Sequence, residues 1–337
     1  MNPFFLLQLF SLACMAGFII AGTLVIRLFF SDPLLVVLGT LVLSLWPSGI
    51  VHAGRIGNEP MLYFLYGLGL LFICRWWVLG ERRDFLVASV FAFLATICKA
   101  TGLLVFAVLI ACTYWPFGAL PGRQPTKKID QVVVAFLLVA ACSITFLHPP
   151  FGPGGDDWLI GNSSQLVPEI MVGNKPVNFV RFNPVHFVTE PFVDSGDGAS
   201  RHNVIHYLLK TSMFGAFAFT SESDGIAKVM SFMLLMILLY LLLSVIGRQR
   251  LSMTRFLPIY LSLAALVAAF FFVRYRLPTS ANSDFRFIVP ATISLTVLYV
   301  TAIGGHFAAN RSAYAWIGVA LMSAFLGLSS FFWLLAA

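Results

Sequence analysis

About ten long apolar segments follow one another along this chain of 337 residues, and few charges interrupt them. Hydrophobic residues make up 59% of the sequence and charged residues only 10%, whereas a soluble protein carries roughly a quarter charged residues. A helix needs about 20 apolar residues to cross the hydrocarbon core, where backbone polar groups must be bonded within the protein. We therefore predict an all-α, polytopic membrane fold with about ten transmembrane helices. The predicted segments are 4–30, 34–52, 61–79, 85–98, 101–116, 131–148, 227–247, 256–273, 287–305 and 313–336.

Two of these segments, 85–98 and 101–116, are shorter than a full span. They predict a tight hairpin broken at Lys99–Gly102, either as two short spans or as a re-entrant pair. The sixth segment is followed by the one large hydrophilic connection of the chain. The predicted division is thus N-terminal transmembrane helices over 1–148, a loop domain over 149–226 and C-terminal transmembrane helices over 227–337.

Basic residues fall on alternate connections between the apolar segments. The connections near 31–33, 80–84, 117–130, 247–255 and 306–312, with the adjoining segment ends, hold eleven bases and four acids, which accounts for the whole net charge of +7. Because cytoplasmic loops collect Lys and Arg, we predict that this side is cytoplasmic and that the large loop is extracytoplasmic. The expected location is a bacterial inner membrane or an ER-type membrane. The basic charge balance follows from topology and needs no nucleic-acid partner.

A polar stretch at an outer boundary places Arg55, Asn58 and Glu59 just ahead of the third segment. Pro60 suits the first turn of that helix, so Glu59 should lie at the positive end of the helix dipole. These residues are candidates for a site acid, a cation ligand or substrate contacts. Helix capping with ordinary interfacial polarity is the alternative.

Lys99 interrupts otherwise apolar sequence in the broken hairpin. An ionisable group at membrane depth is costly unless it is paired or hydrated, which makes it a candidate functional residue. A phosphate group would be a natural partner for its ammonium. The alternative is that the side chain snorkels to the interface.

Three arginines, Arg274, Arg276 and Arg286, crowd the last outer connection against the charge trend of the other loops. A guanidinium can hold a phosphate through two parallel hydrogen bonds, so this connection is a candidate anion site. Pairing with Asp284 and with nearby lipid headgroups is the alternative.

The end of the large loop predicts a helix over roughly 199–214. His202, His206 and Lys210 recur four residues apart and form a polar stripe beside an apolar face. Such a helix could lie in the membrane interface with its cations toward the lipid headgroups, where these three residues could contact substrate.

A metal site is a weaker prediction. His202 and His206 have a spacing that could share one ion, and Asp194 or Asp197 is near in sequence. Asp156 and Asp157 could hold a hard cation, although a turn is the simpler interpretation. A divalent cation therefore stays open as a cofactor.

Four stretches together resemble the GT-C class of integral-membrane glycosyltransferases, and in particular the group of protein O-mannosyltransferases and lipid A aminoarabinose transferases. The resemblance covers most of the chain in the order of its elements. The matching stretches are Pro47–Leu62, Ala95–Leu103, Leu208–Phe217 and Asp284–Pro290.

This resemblance implies transfer of a sugar from a polyprenyl or dolichyl phosphate to a lipid, glycan or protein acceptor on the extracytoplasmic face. It implies that Glu59 is a catalytic acidic residue, and that Lys99, Arg274, Arg276 and Arg286 bind the donor phosphate. No nucleotide sugar is needed, in keeping with the lack of a nucleotide-binding motif. The implied partners are membrane lipids and the lipid-linked sugar.

The sequence departs from this family at its start. The principal acid of these enzymes usually lies in a first outer loop after the first span, and that helix and loop are not found here. We therefore expect that the sequence lacks this first helix and loop. Two alternatives stay open: a catalytically inactive GT-C-like scaffold, and a transporter or lipid flippase. A transporter would more often show paired repeats with broken helices, and the sequence shows one broken hairpin and no repeat.

Overall fold

The part of the chain that the structure describes is folded almost wholly into helices. The computed structural model describes residues 3–115, 127–147, 171–193, 201–217, 219, 221–246 and 254–336. Within these residues the β-type pairing is a single isolated bridge between Met171 and Thr279. The predicted all-α class is therefore confirmed for the described part of the chain.

The helices follow the predicted apolar segments closely. Short 3-10 turns at Ala100–Gly102, Ser280–Ser283 and Phe285–Phe287 interrupt or precede them. The helices are α1 (Pro3–Phe29), α2 (Pro33–Leu45), α3 (Pro47–Ala53), α4 (Glu59–Leu79), α5 (Arg82–Cys98), α6 (Leu103–Thr113), α7 (Lys128–Leu147), α8 (Val177–Val180), α9 (Pro184–Thr189), α10 (Val204–Phe214), α11 (Ser221–Ile246), α12 (Leu257–Arg276), α13 (Ala291–Ala308) and α14 (Ser312–Ala336).

Seven helices in the described residues are long and apolar enough to cross a membrane, and they are α1, α4, α7, α11, α12, α13 and α14. An eighth span results if the bent pair α2–α3 counts as one. The protein is thus a multi-pass membrane protein. Helices α5 and α6 contain 17 and 11 residues. The number of about ten spans stays a prediction beyond these seven or eight.

The bend of 54° between α2 and α3 has a local cause. Pro47 has no backbone N–H, and its ring disfavours helical backbone at the preceding residue. Trp46 accordingly has extended dihedral angles, and its N–H still bonds to the carbonyl of Val42. The predicted segment 34–52 is therefore two helices joined at a proline.

The contacts group the chain into two compact units, each drawn from three stretches. Unit 1 comprises Met1–Phe29, Ala53–Ile170 and Ser252–Phe271, and unit 2 comprises Phe30–His52, Met171–Leu251 and Phe272–Ala337. The sequence-based division into 1–148, 149–226 and 227–337 concerns membrane and loop regions, and it stays a prediction.

Unit 1 is built around an antiparallel α4–α5 hairpin. Gly80 ends α4 in the left-handed conformation (φ 76°), and its N–H bonds to the carbonyl of Trp76. Helix α1 packs along α4, with Phe18 against Tyr63 and Gly17 beneath the ring of Phe64. A buried hydrogen bond of 2.9 Å joins the hydroxyls of Tyr66 and Ser262, where α12 reaches α4.

Ion pairs gather at the Gly80 end of unit 1. Arg75 pairs with Asp84 at 3.1 Å, and Arg82 binds both carboxylate oxygens of Asp130, at 2.7 Å for the shortest contact. Trp77 also donates to the carbonyl of Thr254 at this end. Three of the connections predicted to share one side of the membrane therefore meet in unit 1; that this side is cytoplasmic stays a prediction.

Unit 2 has its own core, formed by α2, α11, α13 and α14. Buried side chains from these helices pack together, and Gly304 lies close to Leu35. Three hydrogen bonds link distant segments: Ser329 to the carbonyl of Leu45, Tyr299 to the carbonyl of Gly318, and Ser244 with His306. The segments 171–193 and 201–217 belong to this unit as well.

The Arg82–Asp130 pair generates a stability prediction. Replacing Asp130 with Asn should lower the free energy of unfolding by about 1–2 kcal/mol, because a neutral amide replaces the buried carboxylate that binds the Arg82 guanidinium through both oxygens. Thermal unfolding of the purified protein in detergent measures this change.

The matched control is Asp224→Asn. Asp224 pairs with Lys228 at 2.7 Å, but both side chains are about two-fifths exposed, at 38% and 42%. An exposed pair four residues apart contributes about 0.5 kcal/mol or less. Equal destabilisation by the two substitutions would contradict the prediction that the Arg82–Asp130 pair stabilises the protein more than the exposed Asp224–Lys228 pair.

Candidate functional site

The N-terminus of α4 and the C-terminus of α5 meet at the end of unit 1 opposite Gly80. Lys99 Nζ lies 3.2 Å from Glu59 Oε1 and donates to it. Glu59 is in the first turn of α4, and Lys99 directly follows α5. Each charge therefore also complements the dipole of the helix end that carries it.

Two further bonds hold these helix ends together. Asn58 Nδ2 donates to the carbonyl of Cys98 at 3.4 Å, and the Cys98 thiol donates to the carbonyl of Asn58 at 3.6 Å. Glu59 Oε2 lies so close to Gly57 that a Cβ there would be 2.6 Å away. The carboxylate is thus held by a cation on one side and by bare backbone on the other.

The ion pair is half-buried. The Lys99 side chain is 26% exposed and the Glu59 side chain 17% exposed. Both charged groups are therefore reachable from outside the protein, although their surroundings are less polar than water. In such surroundings a charge interacts more strongly with a third charged group than it would in bulk solvent.

The chain reversal that presents Lys99 depends on Gly102. Lys99 is extended (φ −163°, ψ 142°), and the Gly102 N–H bonds to its carbonyl at 2.8 Å. A Cβ on Gly102 would lie 2.1 Å from the carbonyl carbon of Ala95. Only a residue without a side chain fits, because the obstacle is backbone of α5.

The structure brings together three of the four residues predicted at this boundary, namely Asn58, Glu59 and Lys99. Arg55 lies exposed in the connection between α3 and α4. The predicted break at Lys99–Gly102 is confirmed. The interpretation of Glu59 as a residue of the first helical turn is also confirmed, and it does not exclude a functional role.

Substitution of Gly102 tests the reversal. Gly102→Ala should destabilise the protein by about 1–3 kcal/mol, because the methyl group forces α5 and α6 apart. Gly54→Ala is the control, since a Cβ there meets nothing within 4 Å. Thermal unfolding in detergent compares the two variants. A Gly102 variant as stable as the Gly54 variant would show that the two segments do not approach this closely.

Arg274 is buried in unit 2 at the C-terminal end of α12, with no measurable exposure. Its guanidinium donates to the hydroxyl of Ser283 at 3.1 Å, to Oδ1 of Asn174 at 3.2 Å and to the carbonyl of Gly173 at 3.1 Å. Its charge also lies over the ring of Phe179 at 5.3 Å. Arg274 thus joins the 171–180 segment to the connection between α12 and α13.

This geometry bears on the predicted phosphate ligands. A phosphate at Arg274 would have to replace these neutral partners, so its role as a ligand stays a prediction. Arg276 is exposed at the end of α12. Arg286 is partly exposed, and its Nε lies 3.9 Å from Asp284 Oδ2. The structure thus shows the contact with Asp284 that the alternative named, and pairing with lipid headgroups stays a prediction.

Arg286 lies within a small ionic group. The Asp284 side chain accepts the backbone N–H of Arg286 at 2.9 Å, and the guanidinium lies 4.9 Å from the ring centre of Phe287. Burial raises the pKa of the Tyr207 phenol, and the nearby Asp284 raises it further, whereas Arg201 and Arg286 act in the opposite direction. Tyr207 is therefore neutral at physiological pH.

The helix predicted over roughly 199–214 exists as α10, but its polar stripe is not where we expected. His206 and Lys210 are buried, at 1% and 0% exposure. His206 Nε2 accepts the backbone N–H of Asn183 at 2.8 Å, and Lys210 Nζ donates to the carbonyl of Phe192 at 3.1 Å. The expectation that these two side chains face lipid headgroups is wrong, because both bond backbone groups of the 183–192 segment.

His202 lies before the helix, which begins at Val204, and is exposed. The four-residue spacing to His206 therefore does not place both rings on one helix face. Within the described residues no group of three or more His, Cys, Asp or Glu side chains could hold a metal ion. The candidates Asp156 and Asp157, with Asp194 and Asp197, lie outside the described residues.

Several residues of these clusters were missed from sequence. Asn174 and Thr211 are uncharged, and their partners are far away in the chain: Asn174 contacts Arg274 and the carbonyl of Tyr275, and Thr211 accepts the N–H of Phe285 at 2.9 Å. No local pattern marks such residues. The one available signal was the polarity of Thr211 in an otherwise amphipathic helix.

The buried position of Arg274 predicts a structural effect of substitution. Arg274→Gln should lower the free energy of unfolding by about 2–4 kcal/mol, because buried acceptors lose their donors. It should also speed amide hydrogen exchange at Val172, whose N–H bonds to the carbonyl of Pro278. Arg276→Gln, two residues further on, is the exposed control. Similar stabilities of the two variants would contradict the conclusion that the hydrogen bonds of Arg274 hold these two segments together.

No protein-family model, no curated protein and no solved structure matches this chain. The function therefore has to be inferred from the residues themselves. The Glu59–Lys99 pair combines opposite charges, a position at the ends of apolar helices and a partly exposed carboxylate, whereas the carboxylates of the Arg75–Asp84 and Arg82–Asp130 pairs are 3% and 2% exposed. These three properties make the pair the strongest candidate for a substrate-binding site.

Proposed function

We propose that this protein is a membrane glycosyltransferase. It transfers a sugar from a polyprenyl or dolichyl phosphate carrier to a lipid, glycan or protein acceptor on the extracytoplasmic face. The observation that carries the proposal is the half-buried ion pair of 3.2 Å between Glu59 and Lys99 at the joined ends of α4 and α5. The resemblance to the GT-C class supports the same reaction.

The two side chains match the two demands of this reaction. The acceptor hydroxyl attacks the anomeric carbon, and the bond between that carbon and the phosphate oxygen breaks with its electron pair on the phosphate. The proton of the hydroxyl needs a base, which the Glu59 carboxylate supplies. The departing phosphate gains negative charge, which the Lys99 ammonium stabilises.

The pairing of the two groups in the free protein is compatible with these roles. An ammonium has three N–H donors, so Lys99 can bind a phosphate oxygen while it stays close to Glu59. A bound phosphate would then share the ammonium with the carboxylate and weaken the ion pair. That sharing would make Glu59 a better proton acceptor at the moment when the donor is in place.

The position of the pair suits a lipid-linked donor. Glu59 begins a helix that is long and apolar enough to span the membrane. The phosphate of a lipid carrier lies at the level where such a helix leaves the hydrocarbon core. A donor activated through phosphate also needs no nucleotide, and the sequence has no nucleotide-binding motif. Arg276 and Arg286 stay separate candidates for anion binding in unit 2.

Activity in proteoliposomes tests the proposal. The purified protein is reconstituted with a panel of radiolabelled polyprenyl phosphate sugars and a membrane extract as the acceptor source. Glu59→Gln should lower kcat by about 100-fold or more, because the general base is lost. Lys99→Gln should lower kcat/KM by about 100-fold, because leaving-group stabilisation is lost. The double variant should lose little more than Glu59→Gln alone, as expected of groups that act together.

The matched controls are Glu190→Gln and Lys228→Gln, which remove the same charges elsewhere and should leave activity within about twofold. Glu190 is exposed and Lys228 forms an exposed ion pair. Full activity of the Glu59 variant would remove Glu59 from the mechanism. Movement of lipid-linked sugar across the bilayer without transfer would favour the flippase alternative.

A further inference from the structure

A groove of about 580 Å³ lies between α4 and α5, at the end of unit 1 that carries the Gly80 turn. It is separate from the Glu59–Lys99 pair, which lies at the other end of the same hairpin. Its floor is apolar and its mouth is charged. The floor consists of Leu68, Phe72, Val87 and Phe91, and the mouth of Arg75, Glu81, Arg83 and Asp84.

The apolar part of the lining comes from both helices. The rings of Phe72 and Phe91 stack at 5.7 Å between centres with an angle of 12°. They form an apolar contact that bridges the two helices. Leu68 lies two turns before Arg75 on α4, which corresponds to about 10 Å along the helix axis. The groove thus runs from the level of the charges toward the hydrocarbon interior.

The charges at the mouth differ in what they already bind. Arg75 and Asp84 form an ion pair of 3.1 Å, in which Asp84 is buried and Arg75 lies over the ring of Phe72. Glu81 and Arg83 are exposed, and in the described part of the chain neither has an ion-pair partner. One negative and one positive group are therefore left for a ligand at the mouth.

We infer that this groove binds one phospholipid with an ethanolamine headgroup. Arg83 binds the phosphate, Glu81 binds the primary ammonium group, and one acyl chain lies along the Phe72–Phe91 floor. The argument is charge complementarity at membrane depth. A glycerol headgroup brings no cation to Glu81, and a choline headgroup has no N–H to donate to its carboxylate.

Lipid titration of the full chain tests this inference. The delipidated protein is titrated in detergent with phosphatidylethanolamine, phosphatidylcholine or phosphatidylglycerol that carry the same acyl chains. Native mass spectrometry counts the bound molecules. The first ethanolamine lipid should bind about tenfold more tightly than either of the others, the effect of about one charge-assisted hydrogen bond.

Three variants separate the parts of the site. Glu81→Gln should abolish the preference for ethanolamine over choline lipid. Arg83→Gln should weaken the binding of all three lipids by about tenfold, because each has a phosphate. Leu68→Trp should weaken all three by filling the floor, which shows that the chain and not only the headgroup is bound.

The control is Arg27→Gln, which removes an exposed arginine of unit 1 outside the groove. It should leave all three affinities unchanged. A preference for the glycerol lipid, equal binding of the three lipids, or equal losses in the Arg27 and Arg83 variants would each overturn the inference. None of these outcomes touches the glycosyltransferase proposal, because the variants leave Glu59 and Lys99 in place.

Discussion

Hydrocarbon offers no hydrogen-bond partner to a backbone N–H or carbonyl group, and this constraint shapes the whole protein. The spanning segments must be helices, and their ionic groups are confined to helix ends, breaks and connections. Glu59, Lys99 and Arg82 are at such positions, and Arg274 lies in the last turn of its helix. Polar chemistry is therefore concentrated at the two ends of the helices, and a catalytic site has to be sought there.

The two ends of the α4–α5 hairpin are held with different strength. At the Gly80 end, Arg82 donates hydrogen bonds to both carboxylate oxygens of Asp130, and Arg75 forms a second ion pair with the buried Asp84. At the other end an ion pair and two long hydrogen bonds are among the contacts that join the helices, and the Glu59 carboxylate is 17% exposed, whereas Asp84 and Asp130 are 3% and 2% exposed. A ligand phosphate can thus reach Lys99 beside a partly exposed carboxylate, whereas at the Gly80 end it would compete with buried ones. This difference favours the Glu59–Lys99 end for reversible substrate binding.

The all-α class and the apolar helices could be predicted from sequence, because membrane helices are recognised by the length and apolarity of their segments. The break at Lys99–Gly102 was predictable too, since an ionisable lysine with a glycine three residues later interrupts an otherwise apolar sequence. The contacts of Arg274 were not, because Asn174 and Gly173 lie about a hundred residues away and carry no charge. The predicted orientation of α10 was wrong for a related reason. Sequence periodicity identifies a polar helix face, but it does not identify the segment that packs against that face.

Two buried cations of unit 2 stabilise the fold through hydrogen bonds to the backbone. Lys210 and Arg274 are completely buried, and both donate to backbone carbonyls, of Phe192 and Gly173 respectively. A buried charge is tolerated when hydrogen bonds replace its hydration. These two cations therefore hold the 171–193 segment against the rest of unit 2. Positive charge in an outer connection is therefore not in itself a sign of anion binding. Exposure separates the two roles, and it leaves Arg276 and the partly exposed Arg286 as the arginines of this connection that a phosphate can reach without breaking the fold.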